Sequence, residues 1–99
     1  MYMFWNKIPS VTTEELKNLL KERPVVIDVR EPYEFKARHI KGAKNIPLST
    51  IKTYEGKGPV YLVCQSGARS SSATKKLKKM GVEAINVKGG MNNWTGPTK

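Results

Sequence analysis

Val60-Tyr61-Leu62-Val63-Cys64-Gln65-Ser66-Gly67-Ala68-Arg69-Ser70 is the stretch that decides how this chain is read. Four apolar residues in a row, with no polar residue between them, predict a strand covered on both faces. The strand delivers the chain directly to Cys64. From Ser70 to Met80, Ala73, Leu77 and Met80 share one helical face, and Gly81 supplies a stop. Cys64 therefore belongs at the carboxyl end of a strand, on a loop that leads into a helix.

Working outward, Lys57-Gly58-Pro59 reads as the turn before this strand, and Val82 to Val87 as a further short strand after the helix. Gly89-Gly90 and a closing turn carry Met91 and Trp94, both assigned to packing. Upstream, Val25-Val26-Ile27-Asp28-Val29 is a second run of the buried kind, ending in charge at Arg30 and Glu31. Pro32 suits the first turn of a short helix through about Ile40, which Gly42 ends. Ala43 to Ile46 can form a brief strand before Pro47, followed by a helical turn over Leu48 to Thr53. Near the start, Thr12 and Glu15 have the spacing of a capping box, with Val11 placed to staple onto Leu16. Leu16, Leu19 and Leu20 continue that helix to Pro24. Tyr2, Phe4 and Trp5 are expected to join Ile8 in an edge strand rather than lie as an apolar patch in water.

Strands alternating with helices define an α/β protein: one domain over residues 1–99, with a central, mostly parallel sheet flanked by helices on both faces. In such sheets ligands bind beyond the carboxyl ends of the strands, where Cys64 is placed.

Composition narrows the function. Ninety-nine residues hold one core and no second catalytic domain. A formal charge of +10 attracts anions of any kind. Lys75, Lys76, Lys78 and Lys79 cluster as the wet side of a helix, with no interleaved aromatic residue to stack on a base, which disfavours a nucleic-acid role. A single cysteine allows no internal disulfide, so the thiol is free. No run approaches the ~20 apolar residues of a membrane span, and Met1 to Trp5 is too short for a signal peptide. A cytoplasmic protein away from membranes is expected. No feature of the sequence sets an oligomeric state.

In a loop between strand and helix, successive backbone N–H groups can curl around one point, here the sulfur of Cys64. Such donors, with the positive end of the following helix, favour thiolate over thiol and would stabilise a persulfide anion. Gly67 can take a positive φ, Ser66 and Ala68 keep bulk away, and Arg69 adds a charge suited to a sulfonate or phosphate. The bland alternative is an inert core cysteine, but such a residue has no use for a donor-rich loop. Asp28 and Arg30 are read as a structural hydrogen-bonded ion pair, and His39, the sole histidine, as a structural residue. No ligand cluster suggests a metal, and no cofactor is expected.

Four segments in this order resemble the rhodanese-homology family over nearly the full length. They are Asp28-Val29-Arg30-Glu31, His39-Ile40-Lys41-Gly42-Ala43-Lys44-Asn45-Ile46-Pro47, the Cys64 to Arg69 loop, and Gly89-Gly90-Met91 with Trp94. The resemblance implies a parallel sheet flanked by helices and a sulfurtransferase in which Cys64 carries sulfane sulfur as a persulfide. Gln65, Ser66, Gly67, Ala68 and Arg69 would then receive a small anionic sulfur donor such as thiosulfate, and a thiol, a cyanide or a partner protein would take the sulfur. In the related phosphatases and arsenate reductases the loop is one residue longer, so the spacing here favours sulfur transfer. A non-catalytic protein-interaction module on the same fold is the other alternative.

Overall fold

The loop between β4 (Val60–Val63) and α3 (Ala68–Lys79) emerges from the middle of a five-stranded sheet. The structure is a computed structural model that describes residues 8–99. The other strands are β1 (Ser10–Thr12), β2 (Val25–Asp28), β3 (Lys44–Asn45) and β5 (Ala84–Lys88), in the order β1-β5-β4-β2-β3, and every neighbouring pair is parallel. The strand expected from Tyr2, Phe4, Trp5 and Ile8 falls mostly on residues 1–7, outside the described residues; the edge strand seen is the three-residue β1 just beyond it.

Parallel strands need crossovers, and α1 (Thr13–Leu19), α2 (Pro32–Ala37) and α3 lie between strands, with α4 (Gly90–Asn93) following β5. Residues of β2, β4 and β5 divide between two cores. On one face Ile27, Val60, Leu62 and Ala84 pack with Ala73 and Leu77 of α3 and with Ile51 of a 3-10 segment, Leu48–Thr53. On the other, Val26, Val63 and Val87 pack with Leu16 of α1, Ile40, Met91 and Trp94. The helices therefore cover both faces, and Met91 and Trp94 are packing residues as read from the sequence.

Local signals explain most boundaries. Thr12 caps α1: the Glu15 amide donates to its hydroxyl (3.0 Å) and its own amide donates to the Glu15 carboxylate (2.8 Å). Val11 packs into the same cluster as Leu16. Along α3 the buried stripe is Ser70, Ala73, Thr74 and Leu77, while Lys75, Lys76, Lys78 and Lys79 are exposed. Met80, expected on the core face, is exposed instead, because the helix ends at Lys79 and the chain turns there toward Gly81. The helix also begins two residues earlier than Ser70, at Ala68.

The register fixes what surrounds the end of β4. Val63 lies opposite Asp28 of β2, and Leu62 opposite Asn86 of β5. Asp28 is fully buried and is held by the guanidinium of Arg30, with Nη2 donating at 2.8 Å and Nε at 3.0 and 3.1 Å to the two carboxylate oxygens. Arg30 also donates to the Arg38 carbonyl and to Gln65 Oε1. The pair thus braces α2 and the Cys64 loop against the sheet. His39 stacks on Phe35, with centroids 3.7 Å apart and planes 9° from parallel, and its Nδ1 donates to the Phe35 carbonyl at 2.7 Å. That proton is spent locally, in keeping with a structural histidine.

Candidate active site

The chain leaves β4 at Cys64 and bends through Gln65, Ser66 and Gly67 before α3 begins. Gly67 makes the bend possible: its φ of 113° lies where a side chain is strained. The turn brings the Gly67 amide back onto the cysteine, where it donates to Sγ at 3.0 Å. The thiol in turn donates to the Ser70 hydroxyl at 3.4 Å. Burial pushes the Cys64 thiol up, but its hydrogen bonding with the Ser70 side chain and with the amides of Ser70, Gly67 and Ser66 outweighs it. The net result is a thiol below its ordinary range.

Cys64 is also fully covered, with 0% of its surface exposed. The sulfur is sealed, yet the amides that follow it converge on it. Beside the loop, a cleft of about 390 Å³ opens against α2, with Arg30, Tyr33, Arg38, Gln65 and Met91 in its walls. A larger cleft, about 470 Å³, lies by Leu20, Pro24 and Gly42 and includes no residue of the loop.

The remaining loop side chains face away from the sulfur. Ser66 and Ala68 are exposed. Gln65 is held between Arg30 and Asn92, donating to Asn92 Oδ1 at 2.7 Å. The Arg69 guanidinium grips Glu34 of α2 with both terminal nitrogens, at 2.7 and 3.0 Å. No motif pointed to Glu34, which is 35 residues away in sequence. The floor of the site comes from α4, whose Met91 and Asn92 amides donate to the carbonyls of Cys64 (2.8 Å) and Gln65 (2.9 Å). Among the described residues no group of His, Cys, Asp and Glu side chains could hold a metal ion, and no helix is long and apolar enough to cross a membrane.

The Glu34–Arg69 clasp has a pH signature. Hydrogen bonds from Arg69, opposed by partial burial and aided by the Glu31 amide, lower the Glu34 carboxyl from 4.5 to about 2. A depressed carboxyl stabilises the fold fully above 4.5, and this contribution fades as the pH falls toward 2. Because Arg69 is 35% exposed, solvent screening limits the clasp to about 1 kcal/mol. Glu34→Gln is therefore expected to lower stability to urea by about that amount at pH 7, with a smaller difference at pH 3. An equal difference at both pH values would contradict the clasp.

A model of the rhodanese-like domain matches residues 12–97. The chain belongs to the rhodanese-like domain family. Bacillus subtilis YqhL is 42% identical over 103 residues, covering 99% of this chain and 82% of that protein. A solved rhodanese-like domain protein from Staphylococcus aureus superposes with a TM-score of 0.81 at 39% identity, over 90% of this chain and 93% of the other. The human single-domain sulfurtransferase TSTD1 superposes at 0.78 with 28% identity, over 89% of this chain and 96% of that one. The parallel sheet flanked by helices is thus the rhodanese-like fold, and the chain is a member of a family that contains sulfurtransferases.

Proposed function

We propose that this rhodanese-like domain moves sulfane sulfur through a persulfide on Cys64, with thiosulfate or another small anionic sulfur compound as donor. The observation that carries this reading is the convergence of backbone amides on a free thiol whose pKa is lowered despite burial. The Cys64 thiolate attacks the outer sulfur of thiosulfate, a new S–S bond forms, and the old one breaks with its electron pair leaving on sulfite. Negative charge then rests on the outer sulfur of the persulfide. A thiolate or cyanide next attacks that sulfur and expels the Cys64 thiolate. No general base is required in this reading, because a thiolate is itself nucleophilic near neutral pH.

In this reading Gln65, Ser66, Gly67, Ala68 and Arg69 form the wall that receives the donor, with the backbone amides supplying most of the stabilisation. Arg69 serves first to hold the loop to α2 through Glu34, and its charge favours an approaching sulfonate. The acceptor is a thiol, carried by a small molecule or by a protein, in a soluble cytoplasmic setting. Full coverage of the sulfur is also what a non-catalytic interaction module would have. The amides gathered on the thiol favour transfer, since a binding module gains nothing from them.

Intact-mass measurement after incubation with thiosulfate tests the proposal. The expected product is the chain plus one sulfur atom, returned to the starting mass by cyanide with release of thiocyanate. An unchanged mass under donor excess would argue for the interaction module.

A further inference from the structure

Beneath Cys64 lie two buried polar side chains with no part in the sulfur-transfer steps above. Ser70, fully buried, accepts from the Cys64 thiol at 3.4 Å, and its hydroxyl donates to Asn86 Oδ1 at 2.6 Å. Asn86 reaches it from β5 and is 8% exposed. The Gly67 carbonyl, 3.2 Å from the Ser70 hydroxyl, is a second and longer acceptor.

We propose that Asn86 is a positioning residue that lets Cys64 change its charge. Acting through Ser70, it accepts a hydrogen bond while Cys64 is a thiol and donates one when Cys64 is a thiolate. The argument is a count of protons. A serine hydroxyl has one proton, and in the thiol state that proton is committed to Asn86 while the thiol supplies its own to Ser70. When the S–H bond breaks and the proton passes to solvent, the sulfur becomes an acceptor only and needs the hydroxyl proton. Ser70 can turn it over only by releasing Asn86, which would leave a carboxamide oxygen unpaired in the interior. Rotation of the amide by half a turn resolves this: Nδ2 then donates to Ser70 Oγ, and the hydroxyl donates to sulfur. Asparagine can play both parts because it carries an acceptor and a donor on one planar group. An aspartate of the same shape, when ionised, can only accept.

Charged groups also sit on the elements packed around the Cys64 loop. They are Arg69 of α3 with Glu34 of α2 across it, and the Asp28–Arg30 pair at the end of β2; β5 contributes the neutral Asn86. The inference rests on Cys64 being the working nucleophile, but it is tested without any sulfur donor, so its failure is separate from a failure of persulfide transfer.

The test follows the ultraviolet absorbance of the thiolate against pH, with Cys64→Ala as blank, in a cycle of Asn86→Asp and Ser70→Ala. A through-space charge at position 86 acts whether or not Ser70 has a hydroxyl, so only the difference between backgrounds reports the relay. In the native background Asn86→Asp should raise the inflection by about one pH unit more than it does in Ser70→Ala. Equal shifts in both backgrounds would overturn the proposal. If the buried carboxylate prevents folding, Ser70→Ala alone serves. Its inflection must rise by about one unit or more, and an inflection that stays put would overturn the relay.

Discussion

Cys64→Ala is expected to abolish sulfur uptake, reducing the rate at which thiosulfate and cyanide give thiocyanate by at least about a thousandfold, to the solution background. The effect is this large because no other sulfur in a cysteine side chain exists in the chain. The variant must still fold for the loss to mean anything. Cys64 is one of the residues of the α3-facing core, and removing its sulfur leaves a cavity of roughly one atom, costing about 1–2 kcal/mol. Melting should therefore fall by roughly 5–15 °C and remain cooperative. Mass analysis in parallel shows no added sulfur. A folded Cys64→Ala protein that keeps its activity would remove the persulfide from the mechanism altogether.

Gly90→Ala should have the largest effect on stability. Gly90 opens α4 with φ at 54°, and a Cβ built there overlaps the Cys64 carbonyl oxygen and comes within 2.8 Å of the Gln65 carbonyl oxygen. Both obstacles are backbone, and both are the acceptors that the Met91 and Asn92 amides need. A flexible side chain could step aside, but these carbonyls cannot move without dragging the Cys64 loop off the end of β4. The expected cost is about 3–5 kcal/mol, a large share of what a domain of this size has in reserve. Melting should drop by at least about 15 °C. Gly42→Ala provides the comparison: its φ of 91° is also unfavourable to a side chain, but a Cβ there meets nothing within 4 Å. It should lose only about 1–2 kcal/mol. Equal losses in the two variants would show that α4 does not abut the loop as described.

These two residues differ in how they could be found. Cys64 is conspicuous in the sequence, since an uninterrupted apolar run leads to it and glycine and arginine follow. Gly90 stands out only as half of a glycine pair, and its role depends on which backbone it touches. Asn86 is an intermediate case. It is a polar residue in a run read as a strand, and a buried polar group implies a partner, but nothing local names Ser70 as that partner. The Met80 assignment went astray for a similar reason. Helical periodicity continues on paper past the residue at which the chain stops being a helix.

What the sequence alone determined were features whose causes lie within a few residues. The capping box of Thr12 and Glu15, the strands at Val25–Asp28 and Val60–Val63, the bend at Gly67 and the order of alternating elements are all of this kind, and together they specify the fold class. Tertiary structure alone decided that Arg69 clasps Glu34, that Ser70 and Asn86 lie under the sulfur, that α4 holds the loop carbonyls, and that Cys64 is covered. The physical reason is that parallel strands joined by crossovers bring residues 16 to 35 positions apart into contact through the register of the sheet. With eight acidic residues to choose from, no short-range rule picks out the one that register places opposite Arg69.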